Sequence, residues 1–220
     1  MRISVSGIDA SGKTTLSRKL NDWLQNKNFK TKLFNIEPKA YKKEIVSPVD
    51  IDDWRLSSFF FNSCKLLDGN PGFARDRFSP RYVDYIMILE EVFAYKRLVI
   101  EKEKKGVLVI HDRHLLDREA AAIAAGCPKK EINQIVAQIP KPDITFFLDL
   151  PVKVAQERMK LIRKRIDPDE VEEKQIFLYQ AYKQLINKYS HITVLDANMP
   201  LNNVFENAKI KLKTIINTLD

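Results

Sequence analysis

The chain has 220 residues, of which 45% are hydrophobic and 30% charged. That balance suits one large globular domain with a sizeable core; it excludes a disordered chain, and no apolar run approaches the ~20 residues of a membrane span. The 37 Lys and Arg outnumber the 29 Asp and Glu to leave a net charge of +8, which favours anionic partners, and two cysteines in unrelated contexts, Cys64 and Cys127, exclude a disulfide framework.

The first predicted element is a strand over residues 3–5. The chain enters this strand directly rather than through a signal peptide, and with its thiols reduced this predicts a cytoplasmic protein. A small polar loop follows, then a helix over 15–24 with Leu16, Leu20, Trp23 and Leu24 on one face. A second strand is predicted at 32–36. Residues 68–80, DGNPGFARDRFSP, are rich in breakers and read as a loop or lid. Residues 81–105 carry a helical pattern with Tyr82, Ile86, Leu89 and Phe93 on one face, and Gly106 sits where a C-cap belongs. Strands at 107–110, 144–150 and 192–195 complete the set, with a charged lid-like stretch at 163–174. Strands apolar on both faces and alternating with helices predict an α/β three-layer sandwich around a parallel five-stranded sheet. Nothing in the composition splits the chain, so residues 1–220 are expected to form one domain, with a mobile lid at about 160–175 and an acceptor-side segment at about 38–95.

The loop Gly7-Ile8-Asp9-Ala10-Ser11-Gly12-Lys13-Thr14 fits G-x-x-x-x-G-K-[ST] and lies between a predicted strand and a predicted helix, the context of a phosphate-binding P-loop. Gly7 and Gly12 let the backbone turn and bring N–H groups against phosphate oxygens, and the helix start adds its own attraction for anions. Ala10, Ser11 and Thr15 belong to the same cradle. Lys13 is expected to reach the β and γ phosphates of ATP, and Thr14 to ligate Mg2+. The [NT]-K-x-D signature of guanine binding is missing, and the strand at 107–110 runs into His111-Asp112-Arg113-His114 rather than the Asp-Glu of motor ATPases. A carboxylate at that strand end falls beside the phosphate loop, where Asp112 can hold magnesium or orient an acceptor.

In its ordered motifs the chain resembles the thymidylate kinase family of P-loop nucleotide kinases. Asp9 within the loop, Glu37-Pro38, Asp112-Arg113-His114, the run from Pro142 to Asp149, Glu157-Arg158, the basic residues Arg163, Lys164 and Arg165, and Leu195-Asp196-Ala197-Asn198 fall in the family's order. The resemblance implies transfer of the γ-phosphate of ATP to a nucleoside monophosphate, thymidine monophosphate (TMP) first among them, by a homodimer that needs no nucleic acid or membrane. It also implies lid roles for Arg163 and Arg165, adenine-side contacts for Asn198, and acceptor contacts for Glu37 and Arg55. Arg113 reads as a phosphate ligand or as the partner of a nearby carboxylate. Asp9 reads as the acceptor of a hydrogen bond from an acceptor hydroxyl or a magnesium-bound water, or as a loop cap.

The acceptor side departs from the family pattern. Ser6 stands for a common glutamate, and Lys39 for the glycine after Glu-Pro. A substrate-binding arginine becomes Glu90 or Glu91, and Ser-Ser and Tyr-Gln become Asp117-Arg118 and Ala121-Ala122. These changes leave two alternatives open, a kinase of a nucleoside or other small metabolite and a nucleotide-binding regulatory protein without transfer. Phe59, Phe60, Phe61 and Phe73 read as core or as an acceptor wall, His111 and His114 as packing or polar contacts rather than a metal pair, and lysine-rich stretches such as 101–105 as solvated helix faces.

Overall fold

The structure is a computed structural model, and it describes residues 1–35, 55–96, 100, 105–162 and 166–216. Five strands, β1 (Arg2–Ser6), β2 (Thr31–Asn35), β3 (Leu108–Asp112), β4 (Ile144–Asp149) and β5 (Ile192–Asp196), form one sheet in the order β2-β3-β1-β4-β5. Every pairing is parallel. Burial follows position: β3 is buried at all five residues, whereas the edge strands β2 and β5 are half-exposed. The expected sandwich is therefore observed.

Helices cover the sheet. α1 (Lys13–Gln25) buries Leu16, Leu20 and Leu24 completely and packs with α9 (Leu201–Ile216), which adds Val204, Ala208 and Leu212. α5 (Leu115–Ala124) packs against α8 (Glu172–Ile186) and against α4 (Pro80–Ala94). α6 (Lys129–Val136) and α7 (Val152–Ile162) complete this shell. The acceptor-side helices are α2 (Ser57–Asp68), α3 (Ala74–Phe78) and α4. Gly106 adopts φ +69° ahead of β3, and the helix end it is expected to cap lies outside the described residues.

Two expectations are corrected. Residues 71–78 are not a loop: a 3-10 turn over Pro71–Phe73 leads into α3, because Asn70 caps it by accepting from the Gly72 N–H at 2.8 Å, and Pro71 and Pro80 each open a helical turn. The breakers mark helix starts. In α4 the apolar stripe chosen by periodicity faces solvent, with Tyr82 64% and Phe93 67% exposed. The inward face carries Val83, Asp84, Met87, Ile88, Glu90 and Glu91 instead, its carboxylates satisfied by partners described below. Of the four phenylalanines, Phe61 is buried core, Phe60 and Phe73 pack against it, and Phe59 is largely exposed.

Candidate active site

The P-loop sits where the strand order reverses about β1, at the carboxyl edge of the sheet. Gly7 (φ +146°) passes so close to β4 that a Cβ would lie 2.8 Å from the Leu148 carbonyl oxygen and 2.9 Å from Ser11 Oγ. Gly12 (φ +98°) is the left-handed N-cap of α1, with open space where a Cβ would point. Ala10 also has positive φ, so the loop curls around its own N–H groups. Thr15 is exposed at the start of α1.

Lys13 is 5% exposed, and its Nζ donates to the Ile8 carbonyl at 2.6 Å and lies 3.8 Å from Asp9. Burial, and after it the Arg113 charge, lowers its pKa from 10.5 to about 8 against the opposing pull of Asp9, Asp117 and Asp112. An ammonium so desolvated is poised to gain from a polyanion. Thr14 Oγ1 donates to Asp112 Oδ2 at 2.7 Å, and Asn35 Nδ2 donates to the same oxygen at 2.9 Å. Asp112 Oδ1 is buried with no hydrogen-bond partner among the described residues. A hydroxyl and a carboxylate with a spare oxygen beside a phosphate loop fit Mg2+, which takes one or two protein oxygens and completes its shell with phosphate and water. Among the described residues no cluster of three His, Cys, Asp or Glu side chains is arranged to hold a metal without such help.

Arg113 follows Asp112 with φ +73°, a left-handed conformation that turns its side chain back over the loop to pair with Asp9. Burial works against its charge, yet Asp9 and Asp117 more than offset this and raise its pKa. The carboxylate-partner reading of Arg113 is thus the one observed, with the guanidinium beside the phosphate loop. Asp9 is also gripped by Gln175 of α8, whose amide accepts from the Asp9 N–H at 3.3 Å and donates to its carboxylate at 3.4 Å.

Beyond Arg113 opens a cavity of about 530 Å³ between α4, α5, α8 and the 3-10 turn over Pro168–Glu170. Asp117 closes its inner end. The carboxylate accepts from Ser6 Oγ at 2.6 Å, Tyr182 OH at 2.8 Å, the His114 N–H at 3.0 Å and the Gly7 N–H at 3.4 Å. Asp117 is therefore committed to the phosphate loop. On the far wall Arg75 holds Asp84 with two bonds of 2.7 and 2.9 Å and Asp169 with a third of 2.6 Å. Glu90 turns away to accept from Ser57 N–H and Oγ at the start of α2, while Glu91 accepts from Arg118 Nε at 2.7 Å and lies 3.0 Å from His114 Nδ1. Burial opposes the Glu91 charge, but Arg118 and His114 hold its pKa below the usual value. His111 and His114 stack at 4.1 Å with an interplanar angle of 8°, the packing role expected of them.

Asn198 lies exposed in the turn after β5, on the carboxyl edge shared with the P-loop, its N–H donating to Asp196 at 2.9 Å. Arg55 precedes α2, where its charge acts on Glu90, and it is not among the described residues that line the cavity. Glu37, Arg163 and Arg165 lie outside the described residues. Sequence reasoning missed Gln175, Tyr182 and Arg75. A glutamine and a tyrosine seven residues apart on the core face of α8 were the available signal for the first two. No helix among the described residues is long and apolar enough to cross a membrane.

A sequence model of the thymidylate kinase family matches residues 76–208. The probable thymidylate kinase of Pyrococcus abyssi is 26% identical over 93% of this chain and 91% of its own length, and that of Sulfurisphaera tokodaii is 29% identical over 93% and 91%. The thymidylate kinase of Mycoplasma capricolum is 25% identical over 94% and 92%. With the match spanning more than half of the chain and the phosphate loop, Asp112 and Arg113 assembled as described, the chain belongs to the thymidylate kinase family.

Proposed function

We propose that the protein transfers the γ-phosphate of ATP to TMP, in the cytoplasm and as a homodimer. The observation that carries this reading is the meeting of Lys13, the Thr14–Asp112 pair and Arg113 at the phosphate loop, with Asp9 and Arg113 also lining a cavity large enough for a nucleotide. Phosphoryl transfer asks little covalent chemistry of the protein; it asks that two anions be held in line while positive charge covers the moving group. Lys13 leaves the Ile8 carbonyl for the donor phosphates, and the P-loop amides hold the rest of the chain of phosphates. Thr14 and Asp112 would hold Mg2+, which would supply positive charge to the transferring group. Arg113 holds the acceptor phosphate, and Asp9, steadied by Gln175, fixes the guanidinium. Arg163 and Arg165 supply further positive charge to the transferring group, and Asn198 borders the adenine.

The dimer reading rests on α4. Tyr82, Leu89 and Phe93 form one exposed stripe on a helix whose acidic residues point inward, a face that a second copy covers. Coupled ADP-release assays with Mg-ATP and a panel of nucleoside monophosphates and nucleosides test the activity. TMP as the best acceptor is expected, and ATP binding without turnover of any monophosphate overturns it.

A further inference from the structure

We infer that the protein carries a second ligand site, at the edge of the sheet opposite the phosphate loop, for a small organic acid with an apolar body and a single carboxylate. A cavity of about 440 Å³ opens there between α5, α6, the residues leading into β4 and the turn from α8 to β5. Thr145, second in β4, and His191, just ahead of β5, place it at the amino edge, whereas the phosphate loop follows the carboxyl end of β1. Among the described residues none lines both this cavity and the one beside Arg113. Its inner wall is apolar: Leu115 and Leu116 of α5, Val136 of α6, and Ile139 and Pro142 ahead of β4. Protein interiors leave few voids larger than a water molecule, so an apolar-walled space of this size suits the body of a ligand.

Charge selects the rest of that ligand. Glu119 is the acid among the described lining residues, it is 3% exposed, and it is already matched: Lys188 Nζ donates to it at 2.9 Å and Tyr189 OH at 2.8 Å. Lys188 also donates to Asn133 at 2.8 Å, which commits its ammonium. Lys141 differs. It meets no carboxylate among the described residues, and its Nζ lies 5.1 Å from the centre of the Tyr189 ring, a weaker contact than a charge-assisted hydrogen bond. His191 lies against the same ring at 5.4 Å, and burial, followed by the Lys141 charge, lowers its pKa from 6.5, so it is neutral at pH 7. The wall therefore sets two ammonium groups against one carboxylate, an excess of one positive charge at the rim of an apolar slot. A carboxylate balances that excess on Lys141 while its hydrocarbon part fills the slot. A phosphate ester would bring up to two charges to the same single ammonium.

The test is calorimetry on the full chain with a non-hydrolysable ATP analogue and TMP both at saturation, using 4-biphenylcarboxylate, the neutral 4-biphenylcarboxamide and 4-biphenyl phosphate as probes. The carboxylate is expected to bind about 10-fold more tightly than the amide at low salt, with the gap narrowing as ionic strength rises. Lys141→Gln, at an exposed position, is expected to lose about 3- to 10-fold of the affinity for the carboxylate and none of that for the amide. Ala137→Trp, at the exposed end of α6, places an indole in the slot and is expected to weaken both by about 10-fold or more. Unchanged circular dichroism and ATP-analogue affinity show that the variants are folded. The inference is overturned by a carboxylate that binds no better than the amide, by variants that bind it as the wild type does, by its displacement with TMP or the ATP analogue, or by tighter binding of the phosphate ester. None of these outcomes bears on phosphotransfer.

Discussion

Lys13 is the residue at which binding, protonation and stability meet. Its pKa of about 8 in the folded protein lies below the 10.5 of an unfolded chain, so between those values the unfolded state binds more protons. Stability therefore rises with pH across that window, and below pH 8 the folded protein bears the full penalty of a buried ammonium. Lys13→Met is expected to stabilise the nucleotide-free protein at pH 7 by on the order of 1 kcal/mol in chemical denaturation, with the difference shrinking as pH goes from 8 towards 10.5. The same variant is expected to lose turnover by orders of magnitude, because its charge is needed only when phosphate is present. Bound triphosphate raises the lysine pKa again, so ATP binding at pH 8 to 9 takes up a proton. Calorimetry in two buffers of different ionisation enthalpy measures this, and equal heats would remove Lys13 from the donor site.

At the scale of elements, α4 explains why the periodic apolar stripe misled. Hydrophobic spacing assumes that polar side chains face water, but Asp84, Glu90 and Glu91 each have a partner inside: Arg75, Ser57 and Arg118. Once buried acids are satisfied, the helix can turn Tyr82, Leu89 and Phe93 outward, the face assigned above to the proposed homodimer. Leu89→Lys/Phe93→Lys is therefore expected to convert a dimer into a monomer in sedimentation or light scattering, with the monomer retaining its helical circular dichroism. A wild-type monomer at tens of micromolar would refute the shared face. α1 behaved as its pattern required, because its leucines have no polar competitor for the core.

At the scale of the molecule, one carboxylate joins three elements. Asp117 of α5 ties Ser6 at the end of β1, the first glycine of the phosphate loop and Tyr182 of α8. Asp117→Ala leaves the Tyr182 and Ser6 hydroxyls buried without that partner, which costs roughly 3 kcal/mol and lowers the melting temperature by about 10 °C. Asp117→Asn, which keeps the shape, is expected to lose less than half as much. A melting temperature unchanged in the alanine variant would show that the junction is held by packing alone.

By itself the sequence determined what is local: the strands and α1 through their periodicity, the P-loop through glycines at fixed spacing, and Asp112 and Arg113 through their place at a strand end. Those features depend on near neighbours in the chain, so a short window of residues carries them. Only the tertiary structure decided how Asp117, Glu91, Arg118, Arg75 and Gln175 are used. Apart from the His114 N–H three residues from Asp117, the partners named above lie 9 to 166 residues away, and a charged side chain looks the same in sequence whether it meets water or a buried counter-charge. That choice depends on which helices the folded sheet brings together, and it turns α4 inside out.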